Sequence, residues 1–172
     1  MVELRVLAAS DVTAIHNWPA YPPEFAELDY ALRTNGWLAE HRNRRDTWIY
    51  VAELNGEMVA FTLLAKTGAA KAEFRIALRA DRLGLGLGTT ITAMMLDKGF
   101  AELKLAYINL IVRKNNLRAI HLYQRIGFLE CGECLRNVDG VQVSFLEMEI
   151  SSGKYRERLM RTRLTIMSKG RS

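Results

Sequence analysis

FRIALRADRLGLGLGT, residues 74–89, is the stretch whose reading decides the fold. Its first five residues alternate as a half-buried strand does. They lead into Gly84, Gly86 and Gly88, a glycine at every second position. Behind Thr89, the apolar residues Ile91, Met94, Met95, Leu96 and Phe100 recur at helical spacing. A strand feeding a glycine-rich turn at a helix N-terminus is a ready anion site. Glycine lets the backbone approach closely, and the first helical amides have no partner inside the helix.

Outward from this unit, residues 105–112 read as a strand and 116–126 as a helix. Gly127 then stands where a left-handed C-cap is expected. Upstream, the β-rich runs 48–54 and 58–64 are joined by Asn55-Gly56, a turn pair that accepts positive φ and signals a hairpin. Residues 71–78 form the next strand. Val2, Leu4 and Val6 suggest a first strand, and Ser10-Asp11 a helix start carrying Val12, Ile15 and Trp18. Pro19, Pro22 and Pro23 end that helix. A second helical stretch is expected over 24–45. At the far end, 128–135 and 141–150 read as a hairpin around Asn137-Val138-Asp139-Gly140. Strand–helix–strand units in the middle require some parallel pairing, so a mixed sheet flanked by helices is expected.

The length of 172 residues suits one domain with a proper core. No apolar run approaches the ~20 residues of a membrane span, and the start has no signal-peptide pattern. With only two cysteines, these features point to a reducing cytoplasm. Charge is uneven. Residues 151–172 carry Lys154, Arg156, Arg158, Arg161, Arg163, Lys169 and Arg171 against Glu157 alone. This basic C-terminal extension therefore holds more than the whole net charge of +5, and the domain over 1–150 is close to neutral.

Three phosphate motifs compete for the glycines. The P-loop needs a Lys after its last glycine, and none is present. The dinucleotide fingerprint needs G-x-G-x-x-G early in a βαβ unit, whereas this spacing is G-x-G-x-G after a long preceding segment. Ile76-Ala77-Leu78 followed by Leu83-Gly84-Leu85-Gly86-Leu87-Gly88-Thr89 instead resembles the acetyl-CoA motif of the GNAT acetyltransferases. The second half agrees: Val112, Asn116, Ala119-Ile120, Leu122-Tyr123 and Gly127-Phe128 follow that family's spacing. The opening residues, the Asn-Gly hairpin and Ala72-Glu73-Phe74 look like the branch with spermidine and ribosomal-protein N-terminal acetyltransferases.

The resemblance implies a GNAT-like α/β (α+β) fold, its mixed central sheet mostly antiparallel and flanked by helices. It also implies acetyl-CoA as co-substrate, no metal, and direct acetyl transfer to a primary amine. The amine would belong to a polyamine, a peptide N-terminus or another small molecule. The backbone of Ile76, Ala77 and Leu78 is expected to hold the pantetheine arm, and residues 83–89 the diphosphate. Asn116 is expected to bond the cofactor or cap its helix, and Arg125, with Arg118, to meet the outer phosphate. Leu83 and Leu85 depart from the family, which usually has Arg or Gln at the first and commonly a basic residue at the second. The grip should then rest on amides and the helix dipole, the latter worth up to about 1 kcal/mol, with Arg79 or Arg82 adding charge from outside.

Acetyl transfer needs a neutral amine, donors for a tetrahedral oxyanion and a proton for the departing thiolate. By resemblance Tyr123 is the acid. Glu73, a carboxylate entering an apolar strand, is the candidate base through water. Glu24, Glu27 and Asp29 are a second acidic group that would attract a cationic amine. Other signals carry less. Cys131 and Cys134 form a lone C-x-x-C, and in an unbroken strand residues three apart face opposite ways. His16, His41 and His121 lack metal-ligand spacing. The rival reading is a non-catalytic acyl-CoA-binding module docked on nucleic acid or the ribosome through its basic tail. For the enzyme, nucleic acid and membrane partners are not expected, and the chain should be a monomer or homodimer.

Overall fold

The computed structural model describes residues 1–170, so Arg171 of the basic extension lies outside the described residues. In chain order the elements are β1 (Val2–Val6), α1 (Ala9–His16), a 3-10 stretch (Pro23–Leu32), α2 (Trp37–His41), β2 (Thr47–Leu54), β3 (Glu57–Gly68) and β4 (Lys71–Leu78). A 3-10 turn (Ala80–Arg82), α3 (Leu87–Asp97), a π-helical turn (Lys98–Glu102), β5 (Tyr107–Arg113) and α4 (Leu117–Ile126) follow. The chain then closes with β6 (Leu129–Val138), β7 (Val141–Ser151) and α5 (Ser152–Lys169). Seven strands form one mixed, mostly antiparallel sheet in the order β1-β2-β3-β4-β5-β7-β6.

Among the described residues β4 and β5 are the parallel pair, and their ladder is short: Lys71 with Tyr107, Ala72 with Ile108, Glu73 with Asn109. Beyond that point each strand stays with its other neighbour, β4 with β3 through Leu78 and β5 with β7 through Arg113. The sheet therefore forks.

The two faces of the sheet are filled by different helices. On one, Leu87, Ile91, Met95 and Leu96 of α3 pack with Ile120 and Ile126 of α4, Phe74 and Phe128. On the other, Ile15, Trp37 and Leu38 of α1 and α2 pack on Val51, Phe61, Leu63 and Ala77. Alternation along β4 supplies both: Ala72 and Phe74 belong to the first face and Ala77 to the second.

Several local expectations shift. The helical stretch over 24–45 divides into the 3-10 segment and the five-residue α2, broken at Gly36, where Tyr30 backs directly onto the glycine. The first helix is capped at Ala8 rather than at Ser10-Asp11. The Asp11 carboxylate accepts from the Ala8 amide at 2.7 Å and pairs with Arg5, also at 2.7 Å. The last hairpin is longer than expected, and a register shift between Glu130 and Gly132 puts a bulge in β6 at Cys131. The opposite-face argument for Cys131 and Cys134 therefore fails, although both are free thiols.

The basic extension is an 18-residue helix. Its first two turns are fastened to the domain. Tyr155 is buried, donates to Asp97 Oδ1 at 3.1 Å and lies 3.2 Å from the Ala93 carbonyl. Arg158 donates to the Ile126 carbonyl at 2.8 Å. From Leu159 onward the side chains are exposed. No described helix is long and apolar enough to cross a membrane.

Candidate active site

The fork opens into a cavity of about 650 Å3. One wall is β4 from Phe74 to Leu78, and the facing wall is Ile111, Val112 and Arg113 of β5. The Arg79 amide bonds the Val59 carbonyl at 2.8 Å, which sets the parity of β4. By the alternation of an antiparallel ladder, Ala77 spends its backbone groups on β3, while Ile76 and Leu78 turn theirs toward the fork. The Leu78 carbonyl already accepts from the Tyr21 hydroxyl at 2.5 Å. Both Ile76 groups and the Leu78 amide remain for a ligand.

At the floor, Gly84 and Gly86 both hold the left-handed conformation, φ 82° and 77°. Gly86 is the N-cap of α3 and has no side chain to cap with. The amides of Leu87, Gly88 and Thr89 thus stay without intrahelical partners, and all three residues line the cavity. Leu83, Gly84 and Gly86 line it too, whereas Leu85 is exposed outside it. A guanidinium stands beside this turn from the neighbouring helix. An added methyl at Gly84 would meet the Arg118 guanidinium at 3.4 Å. Arg118 and Arg125 both line the cavity, and neither has an ion-pair partner among the described residues. Arg79, by contrast, is held by Glu57 and Asp81, and Arg82 by Glu57.

Tyr123 reaches the cavity from α4, its ring edge-on to Phe74 and Phe128 at 6.4 and 5.6 Å between centroids. Its hydroxyl makes no hydrogen bond to protein among the described residues. Burial pushes the phenol well above its usual range, so it remains a proton donor across physiological pH. Asn116 caps α4, its Oδ1 accepting from the Ala119 amide at 3.2 Å, and also faces the cavity.

Glu73 does not line the cavity. Its carboxylate accepts from Arg75 Nε at 2.9 Å, at the last paired position of the fork, and its side chain shares the α2 face of the sheet with Arg75 and Ala77. Tyr123 packs on the opposite face. Of the second acidic group, Glu27 lines the cavity while Glu24 and Asp29 do not. Sequence reading missed Trp37, Tyr30, Glu40, Arg136 and Phe145, which close the second end of the cavity. They come from α2, the 3-10 stretch and the last hairpin. No local spacing connects those segments. Among the described residues no group of three His, Cys, Asp or Glu side chains is placed to hold a metal.

Comparison with known proteins agrees with this geometry. Residues 11–128, more than half of the chain, match the family described as acetyltransferase (GNAT) family. The spermidine N(1)-acetyltransferase of Escherichia coli (strain K12) is 28% identical, with 90% of this chain and 88% of that protein covered. The enzyme of the same name from Vibrio cholerae is also 28% identical, over 90% of this chain and 95% of its own. A crystal structure of spermidine/spermine N-acetyltransferase from Vibrio cholerae, in complex with manganese ions, superposes with a TM-score of 0.72 at 27% identity. It covers 91% of this chain and 96% of that one. The fork, the glycine turn and the family match together show that the chain belongs to the acetyltransferase (GNAT) family and is an acetyl-CoA-dependent N-acetyltransferase acting on a primary amine.

Proposed function

We propose that acetyl-CoA lies along the fork and transfers its acetyl group directly to an amine that enters from the end walled by Trp37 and Tyr30. The parting of β4 and β5 after Glu73 and Asn109 carries this reading, because it leaves the Ile76 and Leu78 backbone unspent beside the cavity. Pantetheine amides would complete those groups as an added strand does. The diphosphate would rest on the amides at Leu87, Gly88 and Thr89, with Arg118 and Arg125 near the outer phosphate. An amide of Ile76 or Leu78 would donate to the oxyanion.

Tyr123 is the acid in this scheme. Its phenol, held protonated by burial, gives its proton to the departing thiolate as the C–S bond breaks. The amine loses its proton through water toward Glu73, the β4 residue next to Phe74 of the cavity wall. Spermidine acetyltransferases among its relatives bring polyamines into the acceptor class, beside N-terminal peptides and other small amines. Two free thiols and the use of acetyl-CoA support a cytoplasmic setting. A free-thiol release screen over polyamines, aminoglycosides and N-terminal peptides tests the reading. Turnover of at least one class is expected, and no turnover of any would overturn it.

A further inference from the structure

Between Trp18 and Tyr30, both packed on the core of the α2 face, the chain crosses the open end of the fork. No residue of this crossing lies in a strand or an α-helix. Pro19, Pro22 and Pro23 lack the amide that a ladder needs, and Pro23–Leu32 is 3-10, a form with poorer hydrogen-bond geometry. Among the described residues its backbone–backbone bonds stay local, as from the Phe25 amide to the Pro22 carbonyl at 2.8 Å. Side chains have to hold it in place.

They do so at both arms of the fork. Tyr21 is buried, and its hydroxyl donates to the carbonyl of Leu78, the last residue of β4. Burial, then the charge of Asp29, push this phenol well above its usual range, so it stays a donor. Further on, Glu27 meets Arg113, the last residue of β5, and Asn115 just beyond it. The Glu27 carbonyl accepts from Arg113 Nη2 at 3.3 Å, and its carboxylate accepts from Asn115 at 3.3 Å and lies 3.8 Å from Arg113 Nη1. Another polar tie, Arg33 to Asp139, joins the residue after the 3-10 stretch to the last hairpin; both partners are exposed, and such pairs contribute little. Tyr21, Phe25, Glu27 and Leu28 all line the cavity. The segment is therefore a bridge from the end of β4 to the end of β5, over the gap that their parting opens.

Resting on the acetyltransferase reading above, we infer that Tyr21 and Arg113 are positioning residues that pin this bridge over the fork, so that the bound acetyl group meets the amine and not water. Neither acts on the reacting atoms. With both ends pinned, Phe25 and Leu28 present apolar surface to the gap, and the amine keeps the entrance beside Tyr30 and Trp37. A bridge released at either end no longer spans the gap, and the thioester becomes open to solvent. Water then gives its oxygen to the acetyl carbon and a proton to the departing thiolate, and acetic acid and free CoA leave.

Thiol release without amine reads hydrolysis, and the increment at saturating amine reads transfer. In Tyr21→Phe, which loses one hydrogen bond and keeps its ring, the ratio of hydrolysis to transfer should rise at least about fivefold, with CoA affinity within about twofold of wild type. Arg113→Gln should act alike, and Arg113→Lys, which still carries a donor for the Glu27 carbonyl, should recover much of the wild-type ratio. Because the two residues pin one bridge from opposite arms, the double variant should stay within about twofold of the worse single, whereas independent sites would multiply. Hydrogen exchange over residues 24–32 of the CoA complex needs no turnover, and each single variant should quicken it at least about fivefold. A ratio unmoved in Tyr21→Phe, effects that multiply in the double variant, or exchange unchanged in Tyr21→Phe overturns this inference alone. No transfer by the wild type to any polyamine, aminoglycoside or N-terminal peptide overturns both the acetyltransferase reading and this inference.

Discussion

Two side chains concentrate the residue-scale chemistry. Tyr123 carries its ring in the core contact with Phe74 and Phe128, while its hydroxyl has no protein partner. Tyr123→Phe should therefore fold normally and keep its acetyl-CoA affinity, while kcat falls by at least tenfold and by up to about 10⁴. Isothermal titration with CoA beside steady-state thiol release checks both halves. His41 is a different case. Both ring nitrogens are buried with no hydrogen-bond partner, and burial, then Arg75 and Arg44, hold its pKa below the usual value. The unfolded chain takes up a proton near pH 6.5 that the folded chain refuses. Stability from this group is complete above about pH 6.5 and is lost as pH falls below it, by up to about 1.4 kcal/mol per pH unit. His41→Leu should remove that slope and raise stability by about 1–3 kcal/mol, because the unpaired ring nitrogens disappear. Denaturant melts at pH 5.5 and 7.5 read both effects.

At the scale of elements, the site is built by helix ends and by a tight turn. Arg118, in the first turn of α4, brings its guanidinium to Gly84, and in the proposed scheme it would serve as the cation that Leu83 and Leu85 do not provide. Arg118→Gln should raise the KM for acetyl-CoA several-fold and reduce its salt dependence, with kcat little changed. Titrations at two salt concentrations test this. Gly36 sets the junction between the 3-10 stretch and α2. A methyl there would lie 1.9 Å from the Tyr30 carbonyl oxygen, which backbone cannot vacate without moving Tyr30. Gly36→Ala should cost at least about 2 kcal/mol in denaturant melts and raise the KM for the amine, because Tyr30 and Trp37 line the cavity at the end proposed for its entry.

For the whole molecule, α5 divides at Arg158. Up to that residue it is part of the domain through Tyr155 and Arg158; beyond it Met160, Leu164, Ile166 and Met167 are exposed on a projecting helix. Ending the chain after Arg158 should leave thiol release within twofold of the full chain. Ending it after Ile150 should cost about 3 kcal/mol or more, since the buried Tyr155 ring and its hydrogen bond to Asp97 go with it. Thermal melts of the two truncated chains decide this. A loss of turnover in the longer one would make the outer helix part of the site.

Much of this protein was legible in residue order because the relevant physics is local. Gly127 stands where a left-handed C-cap is expected and adopts it, and Gly84 and Gly86, read as a turn of close backbone approach, are left-handed as well. Asn55-Gly56 gave the hairpin, and the alternation over 71–78 gave a strand with a face on each core. The family followed from two such local patterns in the right order. Tertiary structure alone decided the rest. Whether β4 and β5 pair along their length or part after Glu73 depends on their other neighbours, β3 and β7, far away in sequence. That parting creates the cavity. The guanidinium beside Gly84 comes from a helix some thirty residues later, and Arg136 lines the same cavity as Glu40 although nearly a hundred residues separate them. Spacing fixes what one segment does with its own backbone. Which segments meet around a cavity depends on long-range packing, and only the folded chain shows it.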